Sequence, residues 1–277
     1  MVTLIDGKKI SKEILDTVAA DVAVLPFQPV FCDVLVGDDK PSVQYVGMKA
    51  KAATSVGMLF HAANFPVSIT TEKLVEEIKK ISEIPNMCGI ILQLPLPAHI
   101  DLQTALDAVP AELDVDCLST VSSKNFYEGK GAIAFPTALA CMSALDSIKV
   151  DLSNKNIVVL GQGKLVGLPV TSLLKSRGLS PTPATNTTPN KEQIVKNADI
   201  LISAIGQGKY ITRDMLKEGV ILIDAGTSEV GGGIVGDVDF DSVKDKASYI
   251  APVPGGVGPI TVAMLLRNVL DVAKRRI

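Results

Sequence analysis

Tryptophan is absent from the chain, and aromatic residues make up only 4% of it. A surface on which successive bases stack needs exposed rings, so binding of single-stranded nucleic acid is not expected. There is no basic block either: 27 Lys and Arg against 30 Asp and Glu leave a net charge of −3. That balance argues against a grip on a phosphate backbone. The two histidines, His61 and His99, are too few for a His-based metal site or a Ser-His-Asp triad, and no metal is expected. Cys32, Cys88, Cys117 and Cys141 show no CxxC spacing. They read as small buried apolar residues rather than a disulfide frame or a zinc site. No apolar run reaches the roughly 18 residues of a membrane span. The start, Met1 to Lys9, lacks the apolar core of a signal peptide. A soluble, cytoplasmic protein without membrane partners is expected.

What is present suits one large or two medium domains with filled cores: 277 residues, 47% of them hydrophobic. Residues 8–24 place Ile10, Ile14, Leu15 and Val18 on one helical side. Pro29–Gly37 reads as a buried strand, Asp38–Ser42 as a turn with Ser42 as a helix cap, and Met58–Phe65 as a second strand. An amphipathic helix follows over Thr71–Ser82, a third strand over Cys88–Pro95, and a helix near Leu102–Ala108. Strand alternating with helix predicts a parallel sheet with helices on both faces. Residues 119–135, polar and glycine-containing, are a candidate hinge, and Pro136 opens a helix to Ser147.

Four stretches carry chemistry. Gln44–Ala53 is rich in good helix formers, and Tyr45 and Lys49, four residues apart, share one face. A phenol beside a desolvated amine can form an acid/base site. Taken alone, the stretch fits a surface lysine beside a half-buried tyrosine better than an acid/base site. Gln93 follows an apolar strand at its carboxyl end, where ligands sit in open α/β sheets, although it could equally bond loop backbone. Asp114 and Asp116 flank a valine and could receive an amine or amide, or form an ordinary solvated loop. Asn156–Leu160 runs into Gly161, Gly163 and Gly167 and then a helix, the context a dinucleotide fold requires. Backbone approach there lets helix-start amides face a pyrophosphate; a tight turn without a ligand is the alternative. Ala198–Gly206 and Val220–Thr227 repeat the pattern of a strand ending in glycine, which points to a Rossmann-type sheet. Finally, Pro252–Pro259 packs three Gly and three Pro into eight residues, a stiff loop suited to backbone bonding with a flat ligand.

With these motifs in order, the chain resembles the bifunctional methylenetetrahydrofolate dehydrogenase/methenyltetrahydrofolate cyclohydrolase family over nearly its whole length. The match is carried by Tyr45-x3-Lys49-x-Lys51, Gln93-Leu94-Pro95-Leu96-Pro97, Asp114-Val115-Asp116, and Pro252–Pro259 with Thr261-Val262-Ala263-Met264-Leu265 after it. The resemblance implies an α/β chain of two domains with a cleft between them. Residues 1–142 would be the folate-binding catalytic domain, completed by a returning helix over 262–277, and residues 143–261 a Rossmann domain for NADP or NAD. It implies oxidation of 5,10-methylenetetrahydrofolate and hydrolysis of the methenyl product to 10-formyltetrahydrofolate, within one-carbon metabolism, and a homodimer.

By the same resemblance Lys49 would be the acid/base group of the cyclohydrolase step, tuned by Gln93. Tyr45 would orient the folate, and Asp116 would bind its amino-pyrimidine edge. Leu94, Pro95, Pro254, Gly255, Gly256, Val257 and Thr261 would complete the folate side. Gly161, Gln162, Gly163, Val166, Gly167, Asn186 and Thr227 would form the cofactor side. The chain departs from the family pattern at Cys117, where Gly is usual, and at Phe135-Pro136-Thr137-Ala138. Thr185-Asn186-Thr187-Thr188 carries no Arg for a 2′-phosphate, and no acid ends the preceding strand for a ribose. An NAD-dependent dehydrogenase with weak or no cyclohydrolase, and a non-catalytic folate or nucleotide binder, are the alternative expectations.

Overall fold

The computed structural model describes residues 2–231 and 233–277; Met1, with which the first expected domain opens, and Gly232 lie outside the description. In chain order the elements are β1 (Thr3–Leu4), α1 (Gly7–Val22), β2 (Val30–Val36), α2 (Lys40–Ser55), β3 (Leu59–Phe65), α3 (Thr71–Ser82), β4 (Met87–Leu92), α4 (Leu102–Asp107), α5 (Thr120–Tyr127) and α6 (Pro136–Ser147). They continue with β5 (Ile157–Leu160), α7 (Gly167–Ser176), β6 (Thr182–Ala184), α8 (Lys191–Lys196), β7 (Ile200–Ser203), β8 (Ile221–Asp224), β9 (Ser228–Val230), β10 (Gly233–Val235), α9 (Phe240–Val243), β11 (Tyr249–Ala251) and α10 (Val257–Lys274). The chain is α/β, as its alternating pattern predicts.

Two compact units divide the chain. One comprises Glu13–Pro136 with Val262–Ile277, and the other the residues up to Lys12 with Thr137–Thr261. In the first, β2 lies between β3 and β4 in a parallel sheet. All seven residues of β2 are buried, as befits a central strand whose two faces are both covered. An isolated parallel bridge from Ile90 to Asp114 extends this sheet past β4. The second unit is a six-stranded parallel sheet in the order β1-β11-β8-β7-β5-β6. Its core is aliphatic, with Val158, Leu160, Leu201, Leu222 and Ile250 all essentially inaccessible. From β5 the chain moves outward to β6 and then crosses back to β7 on the other side of β5. That reversal is a topological switch point, which opens a crevice at the carboxyl ends of β5 and β7.

Local features differ from the sequence expectations in three places. Ser42 does not cap α2; Asp39 does, its Oδ2 accepting from Ser42 N at 3.0 Å and from Ser42 Oγ at 2.7 Å. Such a cap is worth about 1 kcal/mol. The expected hinge over 119–135 contains a regular helix, α5, capped by Ser119. Thr3 and Leu4 pair with Tyr249 and Ile250, so the chain's first strand joins the edge of the six-stranded sheet.

Candidate active site

Helix α2 buries Ser42, Val46, Lys49 and Ala53, a stripe spaced four, three and four residues apart. Lys49 thus sits on the core face of its helix and is 2% exposed, the reverse of a surface lysine. Below it, Asp33 lies in the middle of β2 with no exposed surface. In the parallel register Asp33 stands opposite Ile91 of β4. Gln93 is two residues beyond Ile91 and so projects from the same face. Lys49 Nζ meets both: Asp33 Oδ2 at 2.7 Å and Gln93 Oε1 at 2.7 Å. The Tyr45 ring completes the enclosure, its centroid 4.9 Å from the ammonium, within cation–π range. The Gln93 amide nitrogen donates to Leu94 O at 2.7 Å, which fixes the side chain with its oxygen toward Lys49.

The charges here are strongly coupled. Burial pushes the Asp33 carboxyl up, and the Lys49 ammonium pulls it back only in part. Lys49 meets Asp33 at ion-pair distance, and among the described residues neither Asp33 oxygen has another hydrogen-bond partner. Burial raises the Tyr45 phenol, and the carboxylates of Asp116 and Asp33 add to the effect, so it stays protonated. Asp116 is pushed up to about 7, first by burial; Lys49 opposes the shift, while Asp114 and Asp33 reinforce it. Asp116 therefore titrates near neutrality, a common mark of a functional carboxyl.

The two acids of the Asp114–Asp116 loop have different jobs. Asp114 is buried and accepts from Leu118 N at 3.3 Å and from Ser119 N at 2.8 Å, so it builds the loop. Asp116, by contrast, makes no such loop-building hydrogen bonds among the described residues and is coupled to Lys49 through space. The loop is pinned from α10 by Asn268, whose Nδ2 donates to Val115 O and to Ala134 O, each at 2.8 Å. Cys117 adopts a left-handed backbone, φ 63°, a region that favours glycine and costs a residue bearing a Cβ about 1–2 kcal/mol. That geometry accounts physically for a glycine at this point of the family pattern.

In the other unit the strand-to-helix turn after β5 is built for close approach. Gly161 has φ 92°, and a Cβ there would lie 2.3 Å from Ala204 O, on the loop after β7. A Cβ on Gly167 would lie 1.9 Å from Gly161 O, so helix and loop touch backbone to backbone. Gly163 faces open space, and Val166 provides no side-chain cap for α7. Leu168 N already donates to Gly163 O at 3.1 Å and Pro169 has no N–H, so the fit of this cradle to a dinucleotide pyrophosphate rests on the close backbone approach at Gly161 and Gly167 rather than on a row of free amides. Gln162 turns inward instead, its amide nitrogen bonding Gly161 O at 2.9 Å and Thr171 Oγ1 at 3.1 Å, which locks the loop to α7. Asn186 and Thr227 are exposed just beyond the carboxyl ends of β6 and β8. The Pro254–Thr261 segment belongs to this unit, where Gly7 N donates to Gly255 O at 3.0 Å and Gly256 N to Pro252 O at 2.7 Å. Leu94–Pro95 and Val253–Pro254 are cis peptides.

The structure therefore brings Tyr45, Lys49 and Gln93 into contact, couples Asp116 to Lys49 electrostatically, and joins the Gly161–Gly167 cradle to the loop after β7. Two residues escaped the sequence reading. Asp33 had a signal, a lone carboxylate in the apolar run Val30–Val36, because a charge buried there must find a partner. Asn268 had a weaker one, a single amide among apolar residues of the closing helix.

Comparison with known proteins agrees with this geometry. Residues 5–116 match the family model described as tetrahydrofolate dehydrogenase/cyclohydrolase, catalytic domain. Residues 136–277 match the NAD(P)-binding domain of the same family. The chain is 41% identical to the bifunctional protein FolD of Nautilia profundicola, over 98% of this chain and 97% of that one. It superposes on the crystal structure of the bifunctional FolD enzyme from Campylobacter jejuni with a TM-score of 0.95, at 34% identity and 100% of both chains. With the Trypanosoma brucei enzyme, solved with NADP cofactor and an inhibitor, the TM-score is 0.93 at 37% identity, over 99% of this chain and 98% of that one.

Proposed function

The chain belongs to the tetrahydrofolate dehydrogenase/cyclohydrolase family, and from that premise we propose that it oxidises 5,10-methylenetetrahydrofolate with NADP and hydrolyses the methenyl product to 10-formyltetrahydrofolate. The observation that carries this reading is the buried amine of Lys49, clamped between Asp33 and Gln93 under the Tyr45 ring. A fold alone supports many chemistries; a desolvated, oriented lysine supports proton transfer.

NADP, when bound, supplies the acceptor for the hydride that leaves the methylene carbon. Gly161, Gly163, Val166 and Gly167 would hold its pyrophosphate, with Asn186 and Thr227 at the rim. Tyr45 packs against the folate and keeps water from its far side, and Asp116, once ionised, accepts the N–H groups of the amino-pyrimidine edge. Leu94, Pro95, Pro254, Gly255, Gly256, Val257 and Thr261 shape the remaining folate contacts in this reading. In the second step water attacks the methenyl carbon, and Lys49 takes its proton. Methenyl cation plus water gives the formyl product and one proton, which Lys49 passes on. Gln93 keeps the amine aimed throughout.

Lys49→Met tests the assignment. Cyclohydrolase turnover should fall by roughly 10²–10⁴, the range of a general acid/base group, while hydride transfer persists. Equal loss of both activities contradicts the role. Thr185–Thr188 carries no Arg for a 2′-phosphate and no acid ends the preceding strand for a ribose, so these residues do not separate NADP from NAD, the alternative acceptor. Thermal stabilisation by NADP against NAD at equal concentration decides between them.

A homodimer is part of the proposal; exposed Val230 and Ile234 on the β9–β10 hairpin are apolar surface that a second copy would cover. Sedimentation velocity tests it. No helix among the described residues is long and apolar enough to cross a membrane. A cytoplasmic location is proposed with the folate chemistry, and cell fractionation tests that.

A further inference from the structure

Lys49 is one of the largest fully buried side chains of the protein, so its charge is governed by neighbours rather than by water. From its own helix it faces the Tyr45 ring, from the end of β4 the neutral amide oxygen of Gln93, and from β2 the carboxylate of Asp33. Asp116 acts on it through space from the loop beyond β4 and is itself coupled to Asp114. Cys32, the chain neighbour of Asp33, is a thiol that burial keeps protonated. Among these, Asp33 is the full negative charge in direct contact. The dependence runs both ways, since among the described residues neither Asp33 oxygen has a hydrogen-bond partner besides Lys49. A carboxylate so placed is expensive in a central strand and has no evident use in holding the sheet together, because β2 is otherwise satisfied by apolar packing and ladder bonds.

We propose that Asp33 is a positioning residue for the cyclohydrolase step: its carboxylate holds the Lys49 ammonium from inside β2 and sets the pH at which that amine becomes a base. The inference rests on the reading of Lys49 as the acid/base group. When Lys49 takes a proton from the attacking water, the ammonium forms 2.7 Å from a carboxylate that stabilises it. Water's oxygen bonds to the methenyl carbon as the C=N π pair moves onto the folate nitrogen; the O–H bond breaks with its pair left on oxygen, and that proton bonds to the Nζ lone pair. Collapse then breaks the C–N5 bond, leaving the formyl group on N10, and N5 takes the second water proton. Burial pushes the Asp33 carboxyl up, so the charge it offers is poorly hydrated and acts at full strength on its neighbour.

Asp33→Asn removes the charge and keeps the shape. In the variant the midpoint of the rising limb of cyclohydrolase kcat against pH should fall by about one unit or more, the usual effect of losing a contacting opposite charge. The resonance of ¹³Cε-labelled Lys49, assigned by its loss in Lys49→Met, should titrate with the same displacement. A lower kcat with both midpoints unmoved marks a merely structural role and overturns the proposal. If the Asn variant does not fold, Asp33→Thr suits a central strand, carries no charge and is held to the same two midpoints. If the parent protein forms no 10-formyl product, the functional reading fails; the resonance titration still decides whether Asp33 governs the amine.

Discussion

Replacing Lys49 with Met removes the ammonium and leaves the Asp33 carboxyl sealed in β2 without a counter-charge. Of the influences on Asp33, burial raises its pKa and Lys49 lowers it, so the variant keeps only the raising influence. In the unfolded chain the same group titrates near 3.9. Above that pH the folded variant therefore retains a proton that the unfolded chain releases. The folded state binds more protons, so stability falls as pH rises, by about 1.4 kcal/mol per unit. The deficit therefore widens from pH 5 toward pH 7 over the range in which the folded carboxyl keeps its proton. Breaking one side of a buried pair costs roughly 3–5 kcal/mol, which sets the scale of the loss. Asp116 also loses the lowering influence of Lys49, so it adds in the same direction. Urea denaturation of parent, Lys49→Met and Lys49→Met/Asp33→Asn at pH 5, 6 and 7 separates the two. The single variant should lose stability relative to the parent as pH rises, and the double variant should recover most of that slope. A single variant whose deficit is the same at pH 5 and pH 7 would refute the reasoning.

Other consequences are equally direct. Asp116 is held at about 7, so folate affinity that depends on its ionised form should strengthen between pH 6 and pH 8, and Asp116→Asn should flatten that dependence in an equilibrium titration. Asn268→Leu strips the donors from Val115 O and Ala134 O; a loss of about 1–3 kcal/mol for the buried Val115 carbonyl left bare, with less from half-buried Ala134, should register in the denaturant midpoint. Gly161→Ala forces a Cβ to within 2.3 Å of Ala204 O at a backbone angle of φ 92°, and should abolish the thermal shift produced by NADP.

Much of this architecture was legible in the residues. The apolar runs of β2, β3 and β4, the Gly161–Gly167 turn and the helices over Thr71–Ser82 and Pro136–Ser147 announce themselves through local periodicity and turn chemistry, which depend on near neighbours alone. Tyr45 and Lys49 were visible as a pair on one helix face, but their depth was not. Whether that face turns to water or to the sheet depends on the packing of Val46 and Ala53 against strands elsewhere in the chain. Asp33 was hidden for the same reason, because its meaning comes from Lys49, sixteen residues away, and from the register that sets Gln93 beside it. β1 is only two residues long and gains its identity from pairing with β11, at the opposite end of the sequence. Short strands made by remote partners leave no periodic trace.

The most direct test of the account is a progress curve. The purified protein is mixed with 5,10-methylenetetrahydrofolate and NADP, and in a parallel sample NAD, while methenyl product and reduced cofactor are followed together. Reduced cofactor should outrun methenyl accumulation with NADP, because the methenyl product is hydrolysed as it forms. Reduced cofactor matched by persistent methenyl product, or no reduction with either cofactor, would contradict a bifunctional enzyme.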